Sequence, residues 1–350
     1  MPHFIRFSIL LSIVSLALFS CDSNNRITTP TNEDEVIVDV DVSLFLSSGL
    51  TVTTVPCTLP GDIKTNCYQI ITKSNPADHE MGPWCPTSIT EGADKGGIWI
   101  EDGEVYDVDG AFIKNMATFY KDNKWKMYDA NGNVFITSTR EECAAAARPD
   151  VDVKYQNYCV ECLPAYVKDI TQTYLIPVTP VRKSTSLLGG RGRATRGARG
   201  VAFNGTRFDG PAPTNAILSA YTLAPFDDAG GHINLHTGYH YHAATGATTE
   251  IDQEDGHAPM IGYAMDGYGL FAQLDATGKE STDLDDCRGH YDELRGYHYH
   301  ADAAGNNNFI NCLSGAIADT SDKRMGFLPF VFGGLASIAF GFLFVVRKRK

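Results

Sequence analysis

A mainly β fold, with α+β as the alternative, is what this 350-residue chain predicts. Three observations carry that expectation. Short aromatic and β-branched runs are separated by turn dipeptides such as Asp102-Gly103 and Asn131-Gly132. The pentapeptide G-Y-H-Y-H at 238–242 returns at 296–300. Around it, Asp227-Asp228-x-x-Gly231-His232-x5-Gly238 aligns without a gap on Asp285-Asp286-x-x-Gly289-His290-x5-Gly296. The result is a pseudo-repeated unit of short antiparallel strands.

The N-terminal end reads as an export signal over residues 1–21. His3 and Arg6 precede an apolar run, Phe7 to Phe19, too short to span a bilayer. Leu18-Phe19-Ser20-Cys21 resembles a bacterial lipobox, despite the atypical Phe19, which makes Cys21 a lipid-anchor candidate. An ordinary signal peptide cut nearby is the alternative. Residues 22–45 are polar and acidic and read as a tether. At the other end, Met325 to Val346 carries no charge and is long enough to cross a membrane. The basic tail 347–350 follows it, which by the positive-inside rule places the tail in the cytoplasm and the body outside. A sorting tail removed by a protease is the rival reading. The expected location is the bacterial cell envelope, with the main body extracytoplasmic.

Between these ends, residues 46–175 form an expected N-terminal β-rich region. Gly97 to Ile100, Glu104 to Val108 and Trp125 to Tyr128 read as strands, Asp109-Gly110 as a turn and Glu141 to Arg148 as a short helix. Asp129 to Asn133 hints at a calcium loop, but Arg140 stands where the closing glutamate is required, so a tight hairpin is expected. Thr171 to Pro180 is strand-like. Residues 176–199 read as a basic Gly/Arg loop, with Arg191, Arg193, Arg196 and Arg199 among glycines. Residues 200–315 hold the repeat, with a helical turn expected over Ala216 to Ala220.

Composition limits the function. Hydrophobic content of 43% supports a packed core, and a net charge of −13 argues against nucleic-acid binding. Setting Cys21 aside from the nine cysteines leaves eight, an even number that suggests disulfides in an exported chain. Cys287 and Cys312 bracket the second pentapeptide and are expected to pair, contributing about 3 kcal/mol by loop entropy. Cys159-x-x-Cys162 has no second copy, so a redox or zinc role is weaker than a structural disulfide.

The histidines carry the chemistry. Eight of ten lie between His232 and His300. On a strand, His240 and His242 share one face while Tyr239 and Tyr241 share the other, and same-face imidazoles about 7 Å apart can converge on one ion. A helix would separate them by about 200°. His232, His240 and His242 form one candidate metal set, and His290, His298 and His300 its counterpart. The expected cofactor is a divalent transition metal, zinc or copper, in two sites or one shared site. Asp227, Asp228, Asp285 and Asp286 either orient the imidazoles or cap turns. His236 and His257 fall outside the repeat and read as accessory ligands or solvent histidines. His79 stands alone and reads as structural.

The chain from about 150 to 315 resembles the YHYH-domain proteins. The matching text includes Arg199 to Gly205, Tyr221 to Asp228, Gly230 to Asn234, His257 to Gly269 and Leu284 to His290. Ala229 departs from the pattern, a cysteine being common there; its repeat partner is Cys287. The resemblance implies little chemistry. A metal protein of the cell envelope, a non-enzymatic surface module and a metal-free His/Asp hydrolase all remain. No G-x-S-x-G nucleophile motif is present.

Overall fold

The computed structural model describes residues 35–146, 148, 150–183 and 197–318. The stretch read as an export signal, the lipid-anchor candidate Cys21, and the C-terminal apolar run and tail lie outside the described residues. Among the described residues, no helix is long and apolar enough to cross a membrane.

Leu50–Leu59 (β1) and Ile63–Lys73 (β2) form a long antiparallel hairpin, and Thr171–Pro177 (β5) pairs on the far side of β2. Between them come the short hairpin Ile98–Glu101 (β3) and Glu104–Asp107 (β4) and the helices Gly110–Phe119 (α1) and Arg140–Ala146 (α2). The β3–β4 turn is Asp102-Gly103, both at positive φ, as a two-residue hairpin requires. The mainly β expectation therefore holds.

Several local readings are corrected. Asp109-Gly110 starts a helix instead of making a turn, because the Asp109 carboxylate accepts the Phe112 N–H at 2.7 Å and caps α1. Trp125 to Tyr128 is no strand, since only the Tyr128–Val134 bridge forms around the tight Asn131-Gly132 hairpin. Arg199 does not belong to a solvated loop: it is buried and its Nε donates to the Ile310 carbonyl at 3.1 Å. Within the stretch read as a tether, Val40 and Phe45 are buried. Phe45 packs against Phe203 and Tyr263, and apolar side chains drive that docking.

The remaining strands are Gly200–Ala202 (β6), Arg207–Phe208 (β7), Gly231–Asn234 (β8), Gly238–Tyr241 (β9), Met260–Ala264 (β10), Gly269–Phe271 (β11), Gly289–Asp292 (β12) and Gly296–His300 (β13). They build one sheet in the order β12-β13-β11-β10-β6-β7-β9-β8. That order reads the same from either end when each strand is replaced by its repeat partner. At the centre β6 and β10 pair antiparallel, with Val201 opposite Tyr263. Outward from there each half has a hairpin, then a parallel pair, then an antiparallel pair. The duplication is therefore larger than the G-Y-H-Y-H units. Gly200-x-Ala202-x-Asn204-Gly205 corresponds to Gly262-x-Ala264-x-Asp266-Gly267, with Gly205 and Gly267 both at positive φ. Gly200 matches Gly262, 62 residues on, whereas Gly238 matches Gly296, 58 on. The first copy keeps four more residues between its inner and outer strands, in the connection that holds the short helix Thr214–Ser219 (α3).

Four disulfides join the eight described cysteines: Cys57–Cys67, Cys85–Cys159, Cys143–Cys162 and Cys287–Cys312. The last is the pair expected from the sequence. Cys159 and Cys162 bond to different partners, so the C-x-x-C motif is structural. Cys85–Cys159 closes the longest loop, with a separation of 74 residues. Replacing both by serine is expected to lower unfolding free energy by about 4 kcal/mol. Urea unfolding followed by tryptophan fluorescence checks this, and an unchanged midpoint would refute it.

Candidate metal centres

The tyrosines and histidines of the pentapeptide do separate jobs on opposite strand faces. On β9, the Tyr239 hydroxyl donates to Asp227 at 2.7 Å, and the Tyr241 hydroxyl accepts from Asn204 Nδ2 at 2.7 Å. On β13, the Tyr297 hydroxyl donates to Asp285 at 2.7 Å and the Tyr299 hydroxyl to Asp266 at 2.6 Å. Asn204 and Asp266 are repeat partners, so both copies tether their tyrosines alike. Asp227 and Asp285 also accept the N–H of Gly231 and Gly289 at 3.0 Å each. Of the two earlier readings, these carboxylates hold turns and tyrosines; they do not orient imidazoles. His79 joins the tyrosine face. Its Nδ1 meets Asp78 at 2.8 Å and its Nε2 the Tyr239 hydroxyl at 3.1 Å. Burial pushes Asp78 up, but bonds from His79, Asn204 and Thr249 outweigh it and hold the carboxyl well below its usual range.

The glycine that opens each pentapeptide is a geometric requirement. Gly238 has φ 79° and Gly296 φ 63°. A Cβ at Gly238 would lie 2.2 Å from Ser74 Oγ, and one at Gly296 2.2 Å from the Val36 carbonyl.

Each turn points its histidines inward. In the first copy the Nδ1 of His240 faces the Gly238 carbonyl at 3.0 Å, and that of His242 the Gly210 carbonyl at 2.6 Å. In the second, the Nδ1 of His298 faces the Gly296 carbonyl at 2.9 Å, and that of His300 the Ala272 carbonyl at 3.0 Å. A carbonyl only accepts, so each Nδ1 carries the proton and each Nε2 keeps a free lone pair. Backbone oxygens thus fix the tautomer a metal needs.

The six histidines separate into two clusters in opposite halves of the sheet. His232, His240 and His242 form a set of three. His290, His298 and His300 form the other, joined by His257 as a fourth member. Within each set the ligand atoms lie within 4.8 Å of one another. His257 thus sits in a histidine cluster instead of facing solvent. His236 is exposed and belongs to neither set.

In the four-histidine cluster all four Nδ1 atoms are committed to acceptors. His257 faces the Ala258 carbonyl at 3.0 Å and His290 faces Asp283 Oδ1 at 2.9 Å, joining the two pairs above. The four Nε2 atoms then crowd together. His298 Nε2 is 3.0 Å from that of His257 and 2.9 Å from that of His290, which is 3.1 Å from that of His300. Lone pairs facing lone pairs repel unless a cation sits among them. Tetrahedral zinc with nitrogen bonds of about 2.0–2.1 Å would space its ligands ~3.4 Å apart, close to what is seen. Burial pushes the His298 imidazole well below its usual range and His300 down to about 3, so both are neutral at pH 7.

The three-histidine cluster differs. His240 and His242 are almost fully buried, and burial brings His242 down to about 3. Phe226 stacks on His232 with ring centroids 5.2 Å apart. Where the second copy has Gly269 and Phe271, the first has Arg207 and Asp209. Arg207 Nη2 bonds Asp209 at 2.5 Å, and the other Asp209 oxygen lies 3.8 Å from His240 Nε2. All three imidazoles line a cavity of about 520 Å³.

Sequence reasoning left His257 open and missed Asp283, Arg207 and Asp209. The signal available was the Gly-x-Ala-x-[Asn/Asp]-Gly match, which places Asp209 and Phe271 at one repeat position.

The architecture defines a twofold-repeated β-protein with a histidine cluster in each half. Residues 173–283 match the family model described as YHYH protein, which supports the family resemblance carried by the motif text. No curated protein and no solved structure matches the chain.

Proposed function

We propose that this is an extracytoplasmic, membrane-anchored protein that binds two divalent transition-metal ions, one in each histidine cluster. The observation that carries it is the four-histidine cluster, where every Nδ1 is committed and four lone pairs converge. All-nitrogen ligands suit zinc or copper, and the described cysteines are tied up in disulfides. Elemental analysis of the full chain, purified without chelator, is expected to give two ions per chain. Absence of bound metal, with none taken up on titration of zinc or copper, would rule the reading out.

The closed four-nitrogen set favours a structural ion in the second half, since no ligand position is left for substrate. Four disulfides support an oxidising compartment. The proposed anchors are Cys21 and the apolar run 325–346, and the sequence supports them. A reporter active only in the cytoplasm, fused at residue 320, is expected to be silent; activity there would reverse the topology.

A further inference from the structure

We propose that the three-histidine centre is an open metal site that takes a carboxylate with an apolar body. The inference rests on the metal reading above and deepens it. Duplication made two similar cradles, and two differences set them apart. In the second half His257 supplies a fourth nitrogen and Phe271 packs on it with ring centroids 4.8 Å apart, which closes the centre. In the first half the nitrogen set stops at three, without Asp209. The side that Phe271 fills in the second half belongs in the first to Arg207, Asp209 and the cavity. A divalent ion with three protein ligands keeps a position for an exchangeable group.

The surroundings select that group. Three neutral imidazoles leave the ion's double positive charge uncompensated, and Arg207 and Asp209 cancel each other. An anion is therefore favoured in the fourth position, and an oxygen donor suits zinc or copper bound by imidazole. The cavity walls beyond the histidines are mostly apolar, with Trp84, Val160, Pro213, Ile217 and Pro225 among them. Its volume falls in the range of small-molecule sites. A carboxylate places its charge at the metal, where Arg207 neutralises the neighbouring Asp209, and its hydrocarbon body against those walls.

The test uses the full chain loaded with cobalt(II) and titrated with acetate, butyrate and hexanoate while the visible d–d bands are followed. One of the two cobalt ions is expected to respond. Affinity should rise by about four-fold per methylene buried. Ile217→Trp narrows the cavity; it should keep the acetate response and lose the gain with chain length. Arg207→Gln should weaken every carboxylate at least ten-fold, with unchanged cobalt content showing that the centre is intact. His257→Ala opens the second centre and should make both cobalt ions responsive to acetate. Both ions loading with no response to any carboxylate would overturn the inference and leave the metal reading standing. A response without chain-length dependence would overturn the apolar-body assignment. Failure of cobalt to load the three-histidine centre would overturn both.

Discussion

His298→Ala is expected to weaken metal binding in the second half and to lower apparent stability by up to about 4 kcal/mol when metal is saturating. His298 is the hub of its cluster, with Nε2 contacts to both His257 and His290. It is 1% exposed, so truncation also removes packing against Phe271, whose ring centroid lies 5.0 Å away. An ion that binds only the folded state at 1,000 times its dissociation constant stabilises by about 4 kcal/mol. The variant should therefore melt well below the parent in excess zinc. With chelator present the two should differ only by the smaller packing loss. His236→Ala is the control, because that ring is exposed and outside both clusters. Melting curves with and without chelator decide the matter. If chelator leaves the parent unchanged, the cluster holds no stabilising ion.

The histidine clusters were legible in the sequence because a strand has period two. Alternation alone put His240 with His242 and Tyr239 with Tyr241, and the repeat doubled the signal. Alternation does not say what lies across the sheet. His257 precedes β10, and the register of β10, β11 and β13 brings it to His298. Its position has no histidine counterpart in the first copy, so the repeat hid it. Asp209 was missed for a related reason. Its neighbours Gly200 to Gly205 follow a spacing of 62 residues and the pentapeptides one of 58, so no single offset aligns both. Helix α1 escaped because Asp109-Gly110 satisfies turn chemistry and helix capping equally. Only the downstream Ile113 and Met116, both buried, decide between them.

Acidification is expected to unfold the metal-free protein between pH 6.5 and pH 4. Burial in the two clusters disfavours the charged imidazolium, pushing His242 and His300 down to about 3 and His232, His240, His257 and His298 downward as well. In the unfolded chain each titrates near pH 6.5. Between the two values the unfolded state binds more protons than the folded state, so stability rises with pH and is lost as pH falls. Above pH 6.5 the effect is absent, and below the folded values it levels off. His242 and His300 each lose about 1.4 kcal/mol per pH unit over that window, or roughly 3 kcal/mol apiece by pH 4. Together these two approach the lower end of a whole domain's stability, about 5–15 kcal/mol, and the other imidazoles shift in the same direction. Bound metal should move the transition to lower pH, because the ion competes with protons for the same Nε2 lone pairs. The measurement is the unfolding free energy against pH, with and without saturating zinc. Flat stability from pH 7 to pH 4 in the chelated protein would show that the imidazoles are not held neutral.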